Sequence, residues 1–174
     1  MSKDYLSNPI IKLNIENLSN LIFGLALSIG AVALIGSGVS YPSNSVVLGE
    51  IVEFALSFFI LIGIWASYSR IITVLPIETS WAFNLNLALL FCVSIEPFLF
   101  YDLNANAQTF VQLDFASTAF ALDLGAMYLL QAGLTSVLLR MESKGTLKLH
   151  PELVSGFKAR LVGQYWAVVS FCYP

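Results

Sequence analysis

Charged residues are scarce in this sequence. They make up 11% of its 174 residues, whereas a soluble domain usually carries about 25%. So few charges cannot cover a soluble surface, and the sequence therefore predicts an integral membrane protein in a lipid bilayer. The net charge of −3 is small and no basic stretch is present, which argues against nucleic acid as a partner.

Residues suited to catalysis or metal binding are also few. The single histidine, His150, lies in a polar stretch, and the two cysteines, Cys92 and Cys172, lie in apolar ones. No Cys/His spacing suits zinc, no Gly-rich phosphate loop occurs, and no base is placed beside a nucleophile. We therefore expect no enzymatic activity, no metal site and no cofactor.

Long apolar runs dominate what is present. A membrane-spanning helix needs about 20 mostly apolar residues. The runs predict helices over 18–36, 50–69, 79–99 and 112–139, with a loop over 36–45 and a polar connector over 141–160. A last apolar stretch, 161–174, is too short to span comfortably. The strands of a membrane barrel would be only about ten residues long. The prediction is an all-α, polytopic bundle over 1–174, with at least four spanning helices and a partial fifth.

The basic residues predict the orientation of this bundle. They occur before the first helix, between the second and third, and after the fourth. The positive-inside rule therefore places the N-terminus and the 140–160 connector of a multi-pass cell-membrane protein in the cytoplasm. The acidic residues that fall on the outer side are Glu50, Glu53, Glu96, Asp102 and Asp114.

The first helix has one distinctive face. Leu25, Ile29 and Val32 share it, and Ser28 lies beside it. Gly24, Ser28 and Ala31 also form a small-residue stripe that predicts close helix approach. Periodicity alone leaves two interpretations open, ordinary helix packing and a pore lining. Ser28 needs no function under the first, because its hydroxyl can bond the carbonyl four residues back.

Three segments in order carry a family resemblance. Residues 14–20 span the predicted start of the first helix, SFFILIGIWASYSRI (57–71) lies in the second, and WAFNLNLALLFCVSIEPF (81–98) lies in the third. This series resembles the transmembrane protein 175 family of potassium channels, in which an Arg-x-x-x-Phe-Ser-Asp signature opens helix one. Only the serine, Ser19, is retained here. The other positions that match the family's pattern are Trp65, Arg70, Trp81, Asn86, Pro97 and Phe98.

The resemblance, which covers roughly residues 14–140, implies a function. Prokaryotic members of the family are homotetramers with six helices per subunit, and helix one of each subunit lines the pore. By this likeness Leu25, Ile29 and Val32 form aliphatic rings around permeant potassium ions, and Ser28 forms a hydroxyl layer. This chain supplies four helices and a partial fifth, so it departs from the family in length.

The resemblance also implies a polar network near the cytoplasmic end of helix one. The family builds it from charged residues and histidines. The counterparts here are Asn14, Ser19, Asn20, Tyr68, Ser69 and Arg70. Of these only Arg70, which matches an arginine in the family's second helix, is charged. Ser19 and Asn20 are predicted to tie helices one and two by neutral hydrogen bonds. The alternative is that both are N-cap or interface residues.

Two acidic residues favour a different function. Asp123 lies nine residues into the helix after Asp114, about 13 Å deeper at helical rise. A carboxylate at such depth usually faces a cavity or a partner. Glu96, beside Pro97, is predicted to cap the outer end of helix three. The alternatives to a potassium channel are a small ion-coupled transporter that uses Asp123 and Glu96, and a non-conducting membrane scaffold.

Overall fold

The computed structural model describes residues 9–35, 44–76, 80–105 and 110–172. They form five helices and, within those ranges, no strand. The helices are α1 (Pro9–Ile35), α2 (Asn44–Val74), α3 (Ser80–Ala105), α4 (Phe110–Ser143) and α5 (Pro151–Cys172). The predicted all-α class is confirmed.

Four of the five helices are long and apolar enough to cross a membrane. The spans are Lys12–Val32 in α1, Val47–Val74 in α2, Ser80–Leu103 in α3 and Phe110–Ser143 in α4. The chain is thus a multi-pass membrane protein with a helical bundle. The shorter α5 is not among the four.

The helices at both ends of the chain begin earlier than predicted. α1 begins at Pro9 and not at residue 18, and α5 begins at Pro151, inside the predicted connector. Proline suits the first turn of a helix, because its missing N–H would have no partner there. Phe157, also in the predicted connector, is buried in the core, and this burial favours a helix that packs on the bundle.

The bend between α4 and α5 is a Schellman motif. Gly145 has a φ of 69°, a conformation that glycine adopts without the strain a side chain brings. Its N–H donates to Glu142 O at 2.9 Å, and Thr146 N–H donates to Met141 O at 3.1 Å. This cap ends α4 and turns the chain back toward α5. Of the loop predicted over 36–45, residues 36–43 lie outside the described ranges, while Asn44 and Ser45 begin α2.

The bundle is layered around α3 and α4. α4 packs against α3, α5 and α2, and α1 packs against α2 and α3. The core contains large side chains from α1 to α4, and the largest that are fully buried are Tyr68, Phe23, Leu61, Ile64, Ile71, Leu75, Leu89, Leu124, Met127, Leu134 and Leu138.

A polar cluster that the sequence analysis did not identify joins α2, α4 and α5. Gln131, fully buried, donates from Nε2 to Ile64 O at 2.7 Å. Gln164 Nε2 donates to Gln131 Oε1 at 3.2 Å, and Thr135 Oγ1 lies 3.3 Å from Gln164 Oε1. Polar side chains in lipid need partners, so this cluster fixes how the three helices face one another.

We predict that Gln131→Leu lowers the free energy of unfolding by about 1 kcal/mol, because Gln164 Nε2 loses the oxygen to which it donates. The measurement is denaturant unfolding in detergent micelles. Ser136→Ala is the matched control, since Ser136 donates only to Ala132 O of its own helix. Equal stability of Gln131→Leu and the wild type would contradict this role.

Candidate functional site

α1 has two faces with different surroundings. One face is buried and carries Ser19, Phe23, Ala26 and Gly30, spaced at helical intervals. A Cβ on Gly30 would lie 3.4 Å from the ring of Phe54, at van der Waals contact, so Phe54 of α2 packs directly over this glycine. The opposite face is exposed over the whole membrane span.

Hydrogen bonds centred on Tyr68 hold the buried face. The Tyr68 hydroxyl lies 2.6 Å from Ser19 Oγ of α1 and 2.6 Å from Asn86 Oδ1 of α3. Ser19, Tyr68 and Asn86 are all nearly inaccessible to solvent. The phenol thus connects three helices at one point, and Phe23 packs against its ring with centroids 5.5 Å apart.

The phenol hydrogen faces two acceptors. Ser19 donates its own hydrogen to Ile15 O at 2.7 Å, so its oxygen is free to accept. The single hydroxyl hydrogen of Tyr68 lies within hydrogen-bond distance of both Ser19 Oγ and Asn86 Oδ1. One donor on α2 therefore faces acceptors on α1 and α3.

A second hydrogen bond joins α1 to α2. Trp65 Nε1 donates to Asn20 Oδ1 at 3.0 Å. Together with Ser19, Asn20 therefore ties the two helices by neutral groups. The alternative that these residues cap the N-terminus of the helix is wrong, because α1 begins ten residues before Ser19.

The other residues assigned to the network lie elsewhere. Asn14 is exposed on α1, one turn before Leu18. Ser69 and Arg70 line a cavity that faces α5. At this end Lys12 of α1 reaches α2, where its Nζ donates to Thr73 O. A positive charge on the last carbonyls of a helix is favourable. Asn86, which the sequence indicated only as a family match, belongs to the network through its contact with Tyr68.

The predicted pore residues all lie on the exposed face of α1. Leu25, Ile29 and Val32 have exposed fractions of 58%, 47% and 65%. Ser28 is exposed between them, and its hydroxyl donates to Gly24 O at 2.8 Å, so the predicted bond to the carbonyl four residues back is confirmed. A Cβ at Gly24 would meet nothing within 4 Å, so none of the described helices of the chain makes the predicted close approach there.

Glu96 lies inside the bundle and not at a helix end. α3 continues past Pro97 to Ala105, so the predicted cap at the end of helix three is wrong. Pro97 itself is buried, and Glu96 is 3% exposed. Ser57 of α2 donates its hydroxyl hydrogen to Glu96 Oε1. The serine compensates part of the cost of a carboxyl group at this position.

Asp123 is only partly satisfied. The Asp123 carboxyl group forms a hydrogen bond with the thiol of Cys92, which lies one helical turn before Glu96 on α3. Glu96 is also near enough to interact electrostatically with Asp123. Oδ2 of Asp123 is buried and has no hydrogen-bond partner. An ionisable group with an unpaired atom inside a membrane protein is a candidate for binding a proton or a cation. Within the described ranges no group of three or more metal-binding side chains occurs.

Comparisons of this chain with protein-family models, with curated proteins and with solved structures find no match. The resemblance of residues 14–140 to the transmembrane protein 175 family therefore stays a prediction. The contacts of α1 and of the two buried acids are the basis for inferring a function.

We predict that Tyr68→Phe lowers the free energy of unfolding by about 1 kcal/mol, because Ser19 and Asn86 both lose their partner. Denaturant unfolding in detergent micelles measures it. Tyr165→Phe is the control, since Tyr165 is half exposed on α5. Equal effects of the two substitutions would contradict a special role for the Tyr68 hydroxyl.

Proposed function

We propose that this protein is a potassium-permeable cation channel, a homotetramer in which α1 of each subunit lines a central pore. The observation that supports it most directly is the asymmetry of α1. Hydrogen bonds that Tyr68 donates to Ser19 and Trp65 donates to Asn20 fix the rotation of the helix. The opposite face, with Leu25, Ser28 and Val32, is exposed, and none of the five described helices covers it.

The spacing on this exposed face suits association around a common axis. Leu18, Leu21, Leu25, Ser28 and Val32 alternate at intervals of three and four residues, and all are exposed. Such a pattern forms the seam along which parallel helices pack or surround an axis. Ile29 flanks the seam. Copies of α1 around an axis would therefore place Leu25 and Val32 in rings with a ring of Ser28 between them.

The chemistry of these rings favours potassium over sodium. An aliphatic ring offers no oxygen to replace the hydration shell, so an ion passes with part of its water or at a large cost. Potassium holds its water less tightly than sodium. Ser28 gives its hydrogen to Gly24 O, so the lone pairs of its oxygen stay available to a cation.

The charges at the two ends of the bundle agree with cation flux. Lys12, Arg70 and Arg140 lie near the helix termini at one end, and Asp102 and Asp114 lie at the other. By the positive-inside rule the basic end, which includes the N-terminus, faces the cytoplasmic side of the cell membrane. The acidic outer end would then raise the local concentration of cations.

We predict that Leu25→Ala raises sodium flux relative to potassium flux in liposomes that contain the purified protein. Each reduction of the sodium barrier by about 1.4 kcal/mol gives a tenfold faster flux. Leu129→Ala on α4 is the matched control, because Leu129 is 52% exposed and lies outside the proposed pore. An unchanged flux ratio in Leu25→Ala would contradict the pore assignment, and no flux in the wild type would favour a scaffold.

A second candidate function, an ion-coupled transporter, rests on a different observation. Asp123 has an unpaired buried oxygen near Glu96. Ser57, which bonds Glu96, also lines a cavity of about 440 Å³ between α2, α3 and α4. A buried acid pair that is linked to a cavity through Ser57 is the kind of site at which a proton or cation can bind during transport.

The two functions predict opposite effects of Asp123→Asn. A channel keeps its passive potassium flux, whereas a proton-coupled transporter loses the potassium uptake that a pH gradient drives. Liposome flux with and without a pH gradient distinguishes them. Asp114→Asn is the control, because Asp114 is exposed on the first turns of the same helix. We expect passive flux to persist in both variants.

A further inference from the structure

A cavity of about 370 Å³ lies between the end of α2 and the beginning of α5. Neither a residue of α1 nor a buried acid lines it, although Lys12 of α1 donates to the backbone oxygen of Thr73 at its edge. Its position is the end of the membrane span Val47–Val74, where the apolar part of α2 stops. Its lining residues are Ser69, Arg70, Thr73, Val74, Glu152, Leu153, Gly156, Phe157 and Arg160.

The cavity carries an excess of positive charge. Arg70 of α2 and Arg160 of α5 line it from opposite sides, with one acid, Glu152. Among the described residues neither arginine lies within 4 Å of a carboxylate oxygen, and Glu152 is 4.0 Å from His150. Two guanidinium groups that no described carboxylate neutralises are suited to bind a phosphate group.

The remaining walls are apolar. Val74, Leu153 and Phe157 line the cavity beside the two arginines. A soluble anion needs no such surface, whereas the glycerol and acyl parts of a phospholipid do. Basic cavities between helices at the cytoplasmic side are typical sites for anionic lipid head groups.

Gly156 lines the cavity without a side chain. A Cβ at this position would meet nothing within 4 Å, so the space above its backbone is empty. Any other residue of moderate size would point into that space. Since glycine inside a helix costs about 1 kcal/mol relative to alanine, Gly156 is not there for the stability of α5.

We propose that this cavity binds the phosphate head group of an anionic phospholipid, which Arg70 and Arg160 contact together. The acyl chains lie along Val74 and Leu153. Such a lipid joins the end of α2 to the beginning of α5 at the basic end of the bundle. The proposal does not depend on channel activity.

The test is retention of phosphatidylglycerol by the full chain. The protein is reconstituted into vesicles of phosphatidylcholine and phosphatidylglycerol, extracted into detergent, and the retained lipid is quantified by native mass spectrometry. Arg70→Gln and Arg160→Gln should each reduce the retained phosphatidylglycerol about fivefold relative to phosphatidylcholine. Lys158→Gln is the matched control, because Lys158 loses the same charge on α5 but does not line the cavity. An equal loss in Lys158→Gln would overturn the proposal.

A second pair of variants keeps every charge. Gly156→Leu should fill the cavity and lower phosphatidylglycerol retention at unchanged folding. Gly163→Leu is its control on the same helix, where a Cβ also meets nothing within 4 Å. If Gly156→Leu retained phosphatidylglycerol at the wild-type level, the assignment of the lipid to this cavity would be overturned. Displacement of the lipid by millimolar glycerol 3-phosphate would assign the cavity to soluble phosphate esters and overturn the lipid assignment.

Discussion

The absence of water in a bilayer core is the constraint on which the rest of this structure depends. Every polar group inside the span needs a partner from the protein itself. Tyr68 meets that need by linking Ser19 to Asn86, and Gln131 meets it by linking Ile64 to Gln164. Each cluster joins three helices. Together they fix which face of α1, α2 and α4 points inward, and therefore which faces remain outside.

The same constraint distinguishes the two candidate sites, Ser28 on α1 and Asp123 on α4, by how their polar atoms are satisfied. Ser28 satisfies its hydrogen within α1 and can stand on an exposed face at little cost, while the lone pairs of its oxygen stay unused by that bond. Asp123 is the opposite case, since one of its oxygens is buried without a partner. The first arrangement suits a passive pore wall and the second suits a group that gains and loses a proton. The proposed channel uses the first arrangement and does not need the second.

The sequence predicted the helices well and the pairing of polar residues only in part. Apolar runs indicate spans, but they do not show that Pro9 or Pro151 begins a helix, since neighbouring polar residues mask the start. Proximity of Ser19 to Tyr68 was expected from a family likeness, whereas Asn86, Gln131 and Gln164 are single polar residues in apolar runs. Their positions suggest burial, but which helices they join depends on tertiary packing. Glu96 was misplaced because a proline usually ends a helix, and α3 continues through it.

Water accessibility of the exposed α1 face tests the central claim most directly. Single cysteines are placed at Leu25, Ser28 and Val32, and at Leu129 as the lipid-facing comparison, in a chain that has alanine at Cys92 and Cys172. A charged, membrane-impermeant thiol reagent is then applied to the reconstituted protein while potassium flux is recorded. The account predicts modification of Leu25→Cys, Ser28→Cys and Val32→Cys with block of flux, and no reaction of Leu129→Cys. Equal inertness of all four positions would contradict a water-filled pore on α1.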